Sequence, residues 1–362
     1  MSEWIECKLG EIAFFSQGLQ VPIEEQFTEQ KENLIRFIRI KDITSNGQEP
    51  IRYIMNPGDR YIARFGDLIM IRYGTPGLLS DKYEGVIANN LFKINLKNET
   101  ECYRKYIFYF LNQQSIQDHF MASQNSTTMP AITFTEVSSL PILLPPIAEQ
   151  KAIAGVLSAL DDKIDLMHRQ NKTLEAMAEA LFRQWFVEEA EESWEEGKLG
   201  DLVEIKYGKD HKSLLDGNVP VFGSGGIMRY ADRSLYNFES VLIPRKGSLD
   251  NVIYINEPFW SVDTMFYTIM RKPNIAKFIY QFVKNLNLSS MNVGSAVPSM
   301  TTEILNNVPI QIPSDQLFEI FEERCSQLYL KIQSNAVQIR SLEKLRDTLL
   351  PKLMIGEVRV DV

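Results

Sequence analysis

At 362 residues the chain is longer than one hydrophobic core normally supports, so it should divide into domains. Hydrophobic residues make up 44% of it and charged residues 23%, the balance of a folded protein rather than a disordered one. A net charge of -9, with no basic excess in either half, argues against a simple basic nucleic-acid binder and leaves any DNA contact to local clusters.

The first residues, Met1-Ser2-Glu3-Trp4, lack the basic and apolar stretches of a signal peptide. No apolar run reaches the ~18 residues of a membrane span. Cys7, Cys102 and Cys325 are odd in number and widely spaced. A cytoplasmic protein with reduced thiols and no membrane association is expected.

Residues 1–145 read as a β-rich module, with strand-like runs at Leu34–Ile40, Asp67–Arg72 and Val86–Ile94, turns at Asn46-Gly47 and Pro57-Gly58, and one helix near Glu101–Met121. Residues 146–190 carry a long periodic helix. Residues 191–313 repeat the first plan, with strands at Val219–Phe222, Ser240–Pro244, Asn251–Ile255 and Phe266–Met270, and a helix near Ile275–Leu286. The segments Gly223-Ser224-Gly225-Gly226 and Arg245-Lys246-Gly247 read as loops. Residues 314–362 hold a second long helix and the tail.

The two halves are copies. Trp4, Lys8-Leu9-Gly10-Glu11-Ile12 and Gly18 return as Trp194, Lys198-Leu199-Gly200-Asp201-Leu202 and Gly208, an offset of 190 (4 to 194). Pro130-Ala131-Ile132 and Leu140-Pro141-Ile142 return as Pro298-Ser299-Met300 and Val308-Pro309-Ile310, an offset of 168 (130 to 298). The second module is therefore shorter, and the modules differ in the stretch between the two motifs.

Both helical runs keep an unbroken four-three spacing. The first places Ile153, Leu157, Leu160, Ile164, Met167, Asn171, Leu174, Ala178, Leu181 and Trp185 on one seam; the second places Phe321, Cys325, Leu328, Ile332, Asn335, Ile339, Leu342, Arg346, Leu349 and Leu353. Such a repeat predicts a coiled coil. At ~1.5 Å per residue each run spans roughly 50 Å, which suits a spacer. One asparagine per seam suggests an antiparallel pair with Asn171 opposite Asn335, Ile164 with Leu342, Leu174 with Ile332 and Leu181 with Cys325. The fold expected is α+β: two β-rich modules, two long helices in an antiparallel coiled coil, and an internal pseudo-twofold repeat.

Catalytic patterns are missing. There is no G-x-x-x-x-G-K-[ST] phosphate cradle and no dinucleotide-type glycine fingerprint. Pro145-Pro146 lacks the flanking amide and aromatic of an adenine methyltransferase motif and reads as a helix start. Glu204-Ile205-Lys206 has the E-x-K shape of a metal nuclease, but Asp201 is too near to complete it. His119, His168 and His211 are scattered, so no metal is expected.

In these residues the chain resembles the specificity (S) subunit of type I restriction–modification systems. The likeness is carried by the Trp-x-x-x-Lys-Leu-Gly-[Glu/Asp]-[Ile/Leu] opening of each half and by Pro145-Pro146-Ile147-Ala148-Glu149-Gln150. Arg245-Lys246-Gly247-Ser248, Phe259-Trp260-Ser261-Val262-Asp263-Thr264 and Leu349-Leu350-Pro351-Lys352-Leu353 add to it. The second helix start, Pro313-Ser314-Asp315-Gln316, keeps only part of the pattern. The resemblance implies a non-catalytic chain with two target-recognition domains, each reading half of a bipartite asymmetric DNA site, and a coiled coil that sets the spacer. It also implies two methyltransferase (M) and two restriction (R) subunits as partners beside double-stranded DNA. S-adenosylmethionine, ATP and Mg are then expected only in those partners. The alternative is a two-headed protein-binding adaptor without DNA specificity.

Donors on loops and local positive charge mark the DNA-facing candidates. In the first module these are Arg36, Arg39, Lys41, Arg72, Tyr73, Thr75, Asn125 and Thr127; in the second, Lys206, Tyr207, Lys209, Ser224, Arg229, Arg245, Lys246 and Ser248. Gly74-Thr75 aligns with Gly247-Ser248, so Arg72-Tyr73 matches Arg245-Lys246, the strongest pair. Ala176, Ala180, Phe182, Phe186, Ile320 and Leu350 lie off the seams, and Phe182, Phe186, Ile320 and Leu350 are the candidates for a partner contact.

Overall fold

The computed structural model describes residues 4–45, 49–122, 131–247, 249–291 and 299–361. The chain divides into two compact units, Met1–Asp165 with Ile339–Val362, and Leu166–Gln338. Each unit holds one β-rich head and a portion of both long helices.

In the first unit, Leu68–Ile71 is an unbroken apolar run that is buried along its length, as a strand covered on both faces must be. It sits in an antiparallel four-stranded sheet ordered Ala13–Gln17, Leu91–Leu96, Leu68–Ile71, Leu79–Ser80. A second sheet runs Arg52–Met55, Leu34–Ile38, Gly85–Ile87, Ile62–Ala63, with Leu34–Ile38 and Gly85–Ile87 parallel. The pairing of Ile5–Lys8 with Pro141–Leu144 closes the head where the first long helix begins.

The second unit repeats this order with different side chains. Its sheet runs Val203–Tyr207, Met265–Met270, Ser240–Pro244, Ile253–Ile255. Asp216–Gly223 is antiparallel to Gly226–Ala231 and parallel to Trp260–Ser261. Glu195–Lys198 with Pro309–Ile312 makes the same closure.

The heads differ at one hairpin. In the second unit the glycine-rich segment is a tight turn, with Gly223 facing Gly226 and Gly226 at φ 109. In the first unit the matching strands end at Ile38 and restart at Arg52, and the connection carries a helix, Ile40–Thr44. The expected single helix near Glu101–Met121 is two, Arg104–Leu111 and Gln114–Ala122. Asn112 ends the first by turning its side-chain amide back to the Phe108 carbonyl at 2.8 Å, a local bond that competes with helix continuation.

The long helices span Ile147–Arg183, followed by a π-helical turn at Gln184–Glu188, and Asp315–Met354. Gly356, at φ 74, stops the second. Every seam position is buried or half-buried. In the second unit Asn335 is fully buried and its Nδ2 donates to Asn171 Oδ1 at 2.8 Å, the expected register. Leu181 and Cys325 pack in that unit's core. In the first unit Arg346 Nη1 donates to Asp161 Oδ1 at 2.9 Å, and Asp161 Oδ2 accepts from Tyr109 of the head at 2.7 Å.

Three of the four partner-contact candidates need correction. Phe182 and Phe186 are buried in the second unit, with the Phe186 ring 4.8 Å from that of Phe278 and 5.0 Å from that of Phe321. Leu350 is buried in the first unit's core with Ile153 and Leu157. The helix face beside the seam is covered by the unit's own head. Ile320 remains exposed, in a groove with Trp194 and Ile312.

Candidate nucleic-acid interface

Each head carries one arginine on a loop held by the same three backbone contacts. Arg72 follows strand Leu68–Ile71; its N–H donates to the Asn90 carbonyl at 2.9 Å and its carbonyl accepts from Ile132 N–H at 3.1 Å. Tyr73 bridges to Ala131. Arg245 follows strand Ser240–Pro244, donates to the Thr264 carbonyl at 2.8 Å and accepts from Met300 N–H at 2.9 Å. Lys246 bridges to Ser299. Both loops then turn at a left-handed glycine, Gly74 at φ 84 and Gly247 at φ 85.

The guanidinium groups rest on different neighbours. Arg72 lies 5.1 Å from the Tyr73 ring centroid and 5.3 Å from that of Phe134. Its Nη1 donates to Gln17 Oε1 at 3.1 Å and its Nε to the Ile132 carbonyl at 3.2 Å. Arg245 lies 5.1 Å over the exposed Tyr207 ring and donates to the Asp263 carbonyl at 3.1 Å. Gln17 and Tyr207 are one position of the repeat, each ending the first strand of its sheet.

A glycine makes that position reachable. A Cβ on Gly18 would fall 2.2 Å from the Ala88 carbonyl oxygen, and one on Gly208 would fall 2.0 Å from that of Val262. Only the bare backbone can pass there, which brings Gln17 and Tyr207 beside the arginines. Gln17 also donates to the Asn89 carbonyl at 3.0 Å, giving the first head an amide-rich edge of Gln17, Gln20, Asn89 and Asn90. Sequence reading missed Gln17, Asn89 and Asp263; the repeated Gly18 and Gly208 beside them were the available signal. Such a set suits base edges: arginine offers two donors to guanine, and glutamine or asparagine pairs with adenine.

The other candidates scatter. Arg36 and Arg39 turn inward to the fully buried Asp42, and Arg39 also donates to the Pro50 carbonyl at 2.7 Å. They organise the hairpin connection rather than its surface, a correction to their expected role. Lys41 and Thr75 are exposed. Lys206 pairs with Glu204 on the same strand and holds that exposed carboxyl below its usual range, so the E-x-K pattern is a surface ion pair. Among the described residues no cluster of metal-binding side chains occurs. Arg229 braces its hairpin through the Leu214 carbonyl and Asp216. Lys209 is exposed, and its carbonyl accepts from Trp260 Nε1 at 2.9 Å. The Ser224 carbonyl accepts from Asn251 Nδ2 at 2.9 Å beside Gly247. Asn125, Thr127 and Ser248 lie outside the described residues. No described helix is long and apolar enough to cross a membrane.

The sequence profile of the type I restriction modification DNA specificity domain matches residues 1–176 and 191–343. The type I restriction enzyme MjaIX specificity subunit of Methanocaldococcus jannaschii is 26% identical over 71% of this chain and 69% of its own length. The type I restriction enzyme HindI specificity subunit of Haemophilus influenzae is 21% identical over 99% of this chain and 100% of its own. The crystal structure of a type I restriction-modification S subunit from M. genitalium shares the fold, with a TM-score of 0.61 and 21% identity over 97% of this chain and 96% of that one.

Proposed function

The chain belongs to the type I restriction–modification DNA specificity family, and from that premise we propose that its two heads read the two halves of a bipartite, asymmetric DNA site. The chain is the non-catalytic specificity component. The observation that carries the reading is the pair of arginine loops: one backbone frame in both heads, with Gln17 beside Arg72 and Tyr207 beside Arg245. A common frame presents each loop to a groove alike, and different neighbours select different bases.

The paired long helices act as the spacer, and two methyltransferase subunits, with two restriction subunits for cleavage, complete the assembly. Adenine must leave the duplex to be methylated, and the pocket that receives it, with its S-adenosylmethionine, belongs to the methyltransferase subunit. ATP and magnesium likewise serve partner subunits. With a net charge of -9 the chain leaves most phosphate neutralisation to its partners. The experiment is a competition binding assay on the reconstituted methyltransferase–specificity complex: one bipartite sequence should compete at physiological salt. Equal competition by all duplexes would leave a protein adaptor as the better reading, and nanomolar selective binding by the isolated chain would contradict the division of charge.

A further inference from the structure

The strand registers superimpose the two heads residue by residue. Met70 and Gln17 both face Phe92, and Ile243 and Tyr207 both face Phe266. On that frame Arg72 falls on Arg245, and Phe65 falls on Phe238. These phenylalanines are 75% and 70% exposed. Single exposed apolar residues are ordinary. A phenylalanine exposed at one position in two heads that differ around it is not, because the residues flanking it have diverged: Arg64 against Asn237 and Gly66 against Glu239.

Both lie at the end of the strand away from the arginine loop; the extended run from Asp67 to Arg72 is roughly 17 Å at ~3.3 Å per residue. Phe65 stands in a tight turn closed by Asp67 N–H to the Arg64 carbonyl at 2.9 Å. Phe238 stands on a bend beside Tyr236, ring centroids 5.6 Å apart. Each has an ion pair close behind it, Asp67 with Arg104 and Glu239 with Lys277, which fixes the base of the turn.

We propose that Phe65 and Phe238 are twin anchors of one protein contact made twice, each ring filling an apolar pocket on one methyltransferase subunit. The assignment rests on the family reading for the partner's identity. A repeated anchor in diverged surroundings calls for two copies of one partner, whereas the bases read by the two heads differ. A buried aromatic anchor is the usual centre of such a contact.

The test uses the full chain co-purified with its methyltransferase subunit, read by native mass spectrometry and titration, with Phe65→Ser, Phe238→Ser and the double variant. Each single variant should weaken one methyltransferase site at least ~tenfold, and the double variant should weaken both, at unchanged melting temperature. Wild-type subunit ratio and affinity in the double variant would overturn the proposal. So would an unchanged ratio with weakened DNA binding, which would place the rings on DNA. Loss of sequence selectivity in the wild-type complex would contradict the DNA reading and leave the docking result standing.

Discussion

Asn171 and Asn335 meet through a hydrogen bond of 2.8 Å in an otherwise mainly apolar seam, with Asn335 fully buried. A buried amide accepts few alternatives: any register that moves Asn335 away from Asn171 strands it among aliphatic side chains. The pair therefore fixes how the two long helices align in the second unit, and so the ruler on which the proposed function depends. Replacing Asn335 by Leu should destabilise the unit by about 1–3 kcal/mol, because Asn171 loses its partner. Replacing both should restore stability while loosening the register. Urea unfolding measures the first effect; a changed spacer in the recognised site would report the second.

Arg245→Ala should leave the melting temperature nearly unchanged and cost about 1–3 kcal/mol of discrimination at one half-site only. Arg72→Ala should relax the other half-site and also lower stability, since Arg72 is held by Gln17, the Ile132 carbonyl and two aromatic rings. Binding assays with each half-site randomised in turn separate the two effects. Equal loss at both half-sites from either variant would contradict the assignment of one loop to one half.

Gly208→Ala and Gly18→Ala should each destabilise their own unit by about 1–3 kcal/mol or more, because the added methyl meets a backbone carbonyl at 2.0 Å or 2.2 Å. Calorimetry should show the lowered transition in the mutated unit. Wild-type stability in both variants would remove the close approach from the account of the site.

Lys277 is buried between Glu239 and Glu322 in the second unit. Burial, outweighing the attraction of Lys277, pushes the Glu322 carboxyl above its usual range. A carboxyl raised on folding favours the folded state below its unfolded pKa, and that contribution is lost as pH rises through the folded value. Lys277→Met should cost about 3–5 kcal/mol at neutral pH by leaving two carboxylates without their cation. The loss should shrink on acidification, as the Glu322 carboxyl takes up a proton. Denaturation at several pH values checks the sign.

Much of this arrangement is legible in the sequence, and the reasons differ by feature. The seam is readable because a coiled-coil repeat constrains every third and fourth residue, so even the Asn171–Asn335 register follows from spacing. Strand Ser240–Pro244 falls where its β-branched and aliphatic run predicts. The inward turn of Arg36 and Arg39 is not marked by charge alone: both are drawn to the fully buried Asp42, which caps the start of the Ile40–Thr44 helix. Phe182, Phe186 and Leu350 mislead for a different reason: a helix face that looks spare in a two-helix pair is covered by a head whose packing no local period encodes. Gln17 carries no charge or motif to mark it, and only the close approach at Gly18 brings it to Arg72.

The most direct measurement is the genome-wide map of methylated adenines in a host expressing this chain with its methyltransferase subunit, compared with the same host carrying Arg245→Ala. The account predicts one asymmetric bipartite motif with a fixed spacer, degraded on one side only in the variant. A single continuous motif, or a motif degraded on both sides, would contradict it.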